Sequence, residues 1–127
     1  MNAAQSTSLN GARVLIVEDE FFLADDLARS LRSAGGEPVG PVATVEQAEK
    51  LLTRERIDAA ILDLNLRGSM ASDFAQRLAA TDLPCLIVSG YGDDALAESL
   101  GHITRLEKPV SPATVSAVLA TLLDRSC

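Results

Sequence analysis

The sequence predicts a single α/β domain with a mostly parallel sheet and helices on both of its faces. Three observations predict it. Short β-branched apolar runs alternate with amphipathic stretches five times along the chain, most of the runs are apolar throughout, and most stop abruptly at a charged or hydroxyl side chain. Continuous apolar runs suit strands buried on both faces, and the alternation suits right-handed crossovers between parallel neighbours.

The first run, Ala12 to Val17, stops at Glu18-Asp19-Glu20. Ala24, Leu27, Ala28, Leu31 and Ala34 follow at helical spacing, Phe21 and Phe22 open that helix and are expected to pack inward, and Gly35-Gly36 supplies its stop. The second run, Val39 to Ala43, is flanked and interrupted by Pro38 and Pro41; proline has no N–H for a ladder, so this strand is placed at an edge. Thr44 with Gln47 forms a capping box for a helix reaching about Glu55. The third run, Ala59 to Leu62, ends at Asp63, and a helix after Gly68 is expected with Ser69 as its cap and Phe74 and Leu78 one turn apart. The fourth, Cys85 to Val88, ends at Ser89-Gly90. Tyr91 to Gly101 then leaves room for only a short helix before a fifth strand from Ile103 to Glu107. Ser111 caps the last helix, with Pro112 in its first turn and Val115, Val118, Leu119 and Leu122 as the buried stripe.

A chain of 127 residues at 47% hydrophobic content can bury one core. Residues 1–10, polar and without periodicity, are assigned to a flexible tail and residues 11–127 to the domain. A net charge of −7 gives none of the basic footprint that nucleic-acid binding needs, so no nucleic-acid partner is expected. No apolar run approaches the roughly 18–20 residues that span a bilayer, and Met1 to Ser8 lacks the regions of a signal peptide. A cytoplasmic protein without a membrane partner is therefore expected. Cys85 and Cys127 are expected to be free thiols, with Cys85 in the core, and His102 is assigned to the surface.

In such sheets ligands bind beyond the carboxyl ends of the strands. The residues there are Glu18 and Asp19, Asp63, Ser89 and Lys108. Each alone has an ordinary explanation as a helix cap, a turn or solvated surface; all five at one rim define a candidate site. Three crowded carboxylates repel one another and stay ionised most readily around a cation. Oxygen-only ligands suit a hard ion, Mg²⁺ or Mn²⁺. Lys108 and Ser89 suit a dianionic phosphoryl group, and one carboxylate can serve as the nucleophile that forms an aspartyl phosphate.

That order, with Asp63 inside Ile61-Leu62-Asp63-Leu64-Asn65-Leu66-Arg67-Gly68 and Lys108 followed by Pro109, resembles the receiver domain of two-component response regulators over nearly the whole chain. The resemblance implies a flavodoxin-like (CheY-like) doubly wound sheet of five parallel strands in the order 2-1-3-4-5. It implies Asp63 as the phosphoacceptor, and Glu18, Asp19, Asp63 and the backbone carbonyl of Asn65 as ligands of Mg²⁺ or Mn²⁺. Ser89 and Lys108 would contact the phosphoryl oxygens, with a cis bond between Lys108 and Pro109. It further implies a signalling domain in place of a turnover enzyme, a sensor histidine kinase or histidine phosphotransferase as donor, and a downstream protein that the sequence does not name. Nor does the sequence choose between monomer and dimer, or between a stand-alone domain and one excised from a longer protein.

Two departures from the family pattern shape the rest of the reading. The stretch between Ser89 and Lys108 is short, which predicts a shortened or irregular fourth helix, and Arg105 occupies the position where receivers commonly carry an aromatic switch residue. The run Leu86-Ile87-Val88-Ser89-Gly90-Tyr91-Gly92 resembles the subgroup nicknamed FATGUY, and Ser89 and Tyr91 are assigned the switch. Asn65, beside the expected path of a hydrolytic water, and Gly90 are assigned a tuning role. A haloacid-dehalogenase-type phosphatase shares the aspartyl nucleophile, but it places a second aspartate two residues later, where this chain has Asn65, and its nucleophile follows the first strand. A receiver that only docks partners is the other alternative, and it sits poorly with a complete set of phosphorylation residues.

Overall fold

The computed structural model describes residues 8–66, 69–90 and 100–126. In chain order these form β1 (Arg13–Val17), α1 (Phe21–Ser33), β2 (Glu37–Val42), α2 (Val45–Arg54), β3 (Ala59–Asp63), β4 (Asn65–Leu66), β5 (Ser69–Met70), α3 (Ser72–Ala79), β6 (Cys85–Ser89), β7 (Thr104–Glu107) and α4 (Pro112–Ser126). The main sheet runs β2-β1-β3-β6-β7 with every neighbouring pair parallel. Setting aside the small β4–β5 ribbon, this is the expected order 2-1-3-4-5, with the proline-bearing second strand at the edge.

The alternation of side chains across the pleat divides the core into two layers. Leu15, Val17, Leu62 and Ile87 face α2 and α3, where they meet Ala48, Phe74, Ala75 and Leu78; Val14, Ile16, Ile61, Leu86 and Val88 face α1 and α4, where they meet Leu27, Leu31, Val115 and Leu119. The α1–α4 seam also carries a polar pair, since the Ser30 hydroxyl lies 2.8 Å from that of Ser116. The capping box forms: the Gln47 N–H donates to the Thr44 hydroxyl at 3.1 Å, while the Gln47 side chain accepts from the Ala43 N–H at 3.0 Å. Gly40 adopts φ +90°, and a Cβ there would stand 2.9 Å from the Val42 nitrogen, so the irregularity that lets β2 follow β1 requires glycine.

Four expectations need correction. Ser69 is not a helix cap; it pairs with Leu66 in the two-residue ribbon, and α3 begins at Ser72 after Ala71, which makes no side-chain cap. The fifth strand begins at Thr104, one residue later than expected. Packing begins at Leu9, ahead of the assigned boundary at residue 11: Leu9 is buried against the α1–α4 layer, and its N–H donates to Ala34 at 2.8 Å. Phe21 and Phe22 do not pack inward. They are 73% and 77% exposed in the first turn of α1, which starts only four residues beyond the end of β1. The short fourth helix expected after Ser89, together with Tyr91 and Cys127, lies outside the described residues. Among the described residues no helix is long and apolar enough to cross a membrane.

Cys85 is a buried free thiol, and burial pushes it up from 9.0 to about 12. A raised acid remains protonated in the fold while the unfolded chain ionises. The contribution of Cys85 to stability is therefore complete below pH 9 and lost as pH rises from 9 toward 12. In the native protein at pH 8 the Cys85 peptide is expected to stay unlabelled by iodoacetamide and to become labelled in denaturant; rapid native labelling contradicts its placement.

Candidate functional site

At the rim, the candidate groups sit at or just beyond strand ends, Asp63 and Ser89 as the last residues of β3 and β6, and the neighbouring strand holds the local backbone. The Glu18 N–H donates to Val42 at the end of β2 at 2.9 Å, Leu64 donates to Val88 on β6 at 3.0 Å, and Lys108 donates to the Ser89 carbonyl at 2.8 Å. These bonds bring Glu18, Asp63 and Lys108 to one place, although they lie on three different strand ends. The Lys108–Pro109 bond is cis, as the resemblance implies.

The Lys108 ammonium lies 3.1 Å from Asp63 Oδ2, 3.4 Å from Glu18 Oε1 and 3.5 Å from Glu20 Oε2. Asp63 also accepts the Asn65 N–H at 2.9 Å, and Glu18 accepts the Glu20 N–H at 3.0 Å. Burial pushes the Glu18 carboxyl up to about 7, against the Glu20 N–H, and the nearby Asp63 charge pushes it the same way. For Lys108, burial acts to lower the ammonium, but its hydrogen bond and charge attraction to Asp63, with Glu18 and Glu20, outweigh it and hold the group above the ordinary lysine value.

Glu18, Asp19 and Asp63 each offer a carboxylate oxygen, and these oxygens lie within 4.8 Å of one another. Glu18 and Asp63 are buried and Asp19 half-buried. This donor set fits a hard cation: it is all oxygen, it is anionic, and its three carboxylates are crowded within 4.8 Å of one another. The acidic cluster could therefore hold a metal ion.

Ser89, fully buried, ends β6 one residue beyond the Asp63–Val88 pair. Asn65 is exposed and Gly90 half-buried next to the rim, whereas Tyr91 lies outside the described residues. Sequence reasoning missed three features. Glu20 reaches Lys108, which the run Glu18-Asp19-Glu20 hinted at. Phe21 and Phe22 form an edge-to-face pair with centroids 5.4 Å apart, and they flank the rim, Phe21 beside Glu18, Asp19 and Pro41 and Phe22 beside Glu20, Lys108 and Pro109. Arg105, noted only for what it replaces, donates from Nη1 to the Ser89 hydroxyl at 3.1 Å.

A doubly wound parallel sheet with buried carboxylates and a lysine at its carboxyl rim is the arrangement of a receiver domain. The chain belongs to that family: residues 14–120 match the response regulator receiver domain. It is 34% identical over 120 residues to the sensory transduction protein RegX3 of Mycobacterium bovis, covering 88% of this chain and 51% of that protein. It is 27% identical over 111 residues to the transcriptional regulatory protein PdtaR of Mycobacterium tuberculosis, covering 87% of this chain and 54% of that one. The chain thus spans about half the length of these relatives. Its fold superposes with a TM-score of 0.76 on the solution structure of SdrG from Sphingomonas melonis Fr1, at 38% identity and covering 90% of this chain and 98% of that one.

Replacing Glu18 with Gln removes one buried charge from a repelling cluster. In EDTA at pH 8, Glu18→Gln is expected to stabilise the domain by about 1 kcal/mol, a few degrees in Tm for a domain of this size. The same change is expected to reduce the rise in Tm that Mg²⁺ gives the wild type. A variant less stable in EDTA, with the Mg²⁺ response intact, contradicts the crowding.

Proposed function

We propose that this domain accepts a phosphoryl group on Asp63 in a Mg²⁺-dependent (or Mn²⁺-dependent) reaction and signals by the change in conformation that follows. The observation that carries the reading is the Lys108 ammonium 3.1 Å from Asp63 Oδ2 at a rim that also presents Glu18 and Asp19. Family membership supports it. The donor in the cell is a sensor histidine kinase or a histidine phosphotransferase, and the receiver of the signal is a downstream protein.

The residues divide the work by their chemistry. Asp63 Oδ1 is engaged by the Asn65 N–H and Oδ2 by Lys108, so the carboxylate is held in one orientation before a donor arrives. In transfer from a phosphohistidine, a bond forms between an Asp63 oxygen and phosphorus while the N–P bond breaks, and the imidazole keeps the electron pair and takes a proton. Lys108 then stands where negative charge accumulates, and the Ser89 hydroxyl is a donor for a phosphoryl oxygen. A cation held by Glu18, Asp19, Asp63 and the Asn65 carbonyl would supply charge neutralisation for the incoming group. Asn65 and Gly90, beside the acceptor, are suited to tune access of water and partner. The FATGUY resemblance of residues 86–92 belongs to this proposal as well.

Incubation with acetyl phosphate and Mg²⁺ is expected to add one phosphoryl group, detected by intact mass. Asp63→Asn is expected to abolish it, EDTA to prevent it, and Asp19→Asn to raise the Mg²⁺ concentration required. Label that persists in Asp63→Asn overturns the assignment of the acceptor.

A further inference from the structure

Arg105 is the residue the sequence reading could only define by what it displaced, and its placement gives it a role of its own. Along β6, Cys85 and Ile87 face the α2–α3 layer while Leu86 and Val88 face α1 and α4, so Ser89 continues the Cys85–Ile87 face. On β7, Leu106 packs toward α1 and α4, which puts Arg105 and Glu107 on the same face as Ser89. The register pairs Arg105 with Ile87 and Glu107 with Ser89. Arg105 therefore stands two register positions behind Ser89 on the same face, and its long side chain reaches forward to donate to the hydroxyl at 3.1 Å.

The direction of that hydrogen bond matters. A guanidinium has donors and no acceptor, so the Ser89 oxygen must accept, and its own proton is left to another partner. An untethered hydroxyl rotates to suit whatever lies nearby; this one is buried and held from its lone-pair side. Its main chain is fixed as well, because the Ser89 carbonyl accepts the Lys108 N–H at 2.8 Å. Ser89 is thus joined at one end to the lysine that contacts Asp63 and at the other to an arginine on the exposed side of an edge strand.

We propose that Arg105 is a positioning residue of the phosphoryl site: by donating to the Ser89 hydroxyl it orients that hydroxyl as a donor to the phosphoryl group on Asp63, and it thereby couples occupancy of Asp63 to the outer strand β7. The inference rests on Asp63 being the acceptor. Coupling of this kind is reciprocal, so if Arg105 favours phosphorylation, phosphorylation favours the bound position of Arg105. It assigns the link between site and surface to an arginine hydrogen bond on β7.

The test compares wild type, Arg105→Met, Arg105→Lys, Ser89→Ala and the double variant Arg105→Met with Ser89→Ala, using acetyl phosphate and Mg²⁺. Arg105→Met keeps an unbranched stem and removes the donors. It is expected to lower the maximal phosphorylation rate about three- to tenfold, the worth of one hydrogen bond, while leaving the half-saturating Mg²⁺ concentration unchanged. Arg105→Lys, which keeps a donor, is expected to recover part of the rate. In the Ser89→Ala background Arg105→Met is expected to have no further effect, and the ¹⁵Nε signal of Arg105 to move on phosphorylation only when Ser89 is present. A wild-type rate in Arg105→Met, effects that multiply in the double variant, or an Arg105 signal indifferent to Ser89 would each overturn the coupling. Those results all presuppose that wild type is phosphorylated on Asp63; a wild type that takes up no phosphoryl group instead overturns the functional reading beneath it.

Discussion

The rim of this sheet depends on the attraction between Lys108 and the buried carboxylates of Asp63 and Glu18, at 3.1 and 3.4 Å. Two carboxylates with oxygens within 4.8 Å repel by roughly 3 kcal/mol at the effective dielectric of a partly buried site, and one ammonium closer to both more than offsets that. It does not offset desolvation as well, and Glu18 stays well above the ordinary carboxylate range. Burial and crowding thus leave the rim carboxylates incompletely compensated by Lys108. A hard cation would relieve that, which is what the proposed acceptance of a phosphoryl group on Asp63 calls for.

The remainder of the fold serves this arrangement. Parallel strands whose helices cover both faces leave polar groups at the strand ends, and the backbone bonds from Glu18 to β2, from Leu64 to β6 and between Lys108 and Ser89 fix the main chain of the rim. At the opposite end of the sheet the charges are matched: Arg13 lies 2.6 Å from Glu37 and 2.7 Å from Glu55. The contrast between paired charges at one end and crowded acids at the other makes the rim the candidate functional end without reference to any relative.

Much of this was legible in the sequence, for identifiable reasons. The apolar runs ending at Val17, Leu62 and Val88 are short, continuous and bounded by polar residues, as strands buried on both faces are, and their end points place Glu18, Asp63 and Ser89 at one rim. Pro38 and Pro41 gave away the edge strand because a missing N–H is a local property. What sequence could not supply depends on neighbours distant in the chain. Phe21 and Phe22 look like core residues by composition, yet they stand exposed in the first turn of α1. The β4–β5 ribbon is two residues a side, too short to leave a periodic signal, and it took Ser69 from the cap role that its type suggested. Arg105 could be seen to be wrong for an apolar slot, but that it reaches Ser89 follows from the register of β6 against β7, which no local pattern encodes.

The central claim is that Glu18, Asp19, Asp63 and Lys108 form one site for a cation and a phosphoryl group. A crystal structure with Mn²⁺ and beryllium trifluoride, a mimic of the phosphoryl group, tests it most directly. The account predicts an anomalous manganese peak in contact with the carboxylates of Glu18, Asp19 and Asp63. It also predicts the fluoride adduct on an Asp63 oxygen, with the Lys108 ammonium turned from Glu18 toward the fluorines. Manganese bound elsewhere, or an adduct on a residue other than Asp63, would contradict it.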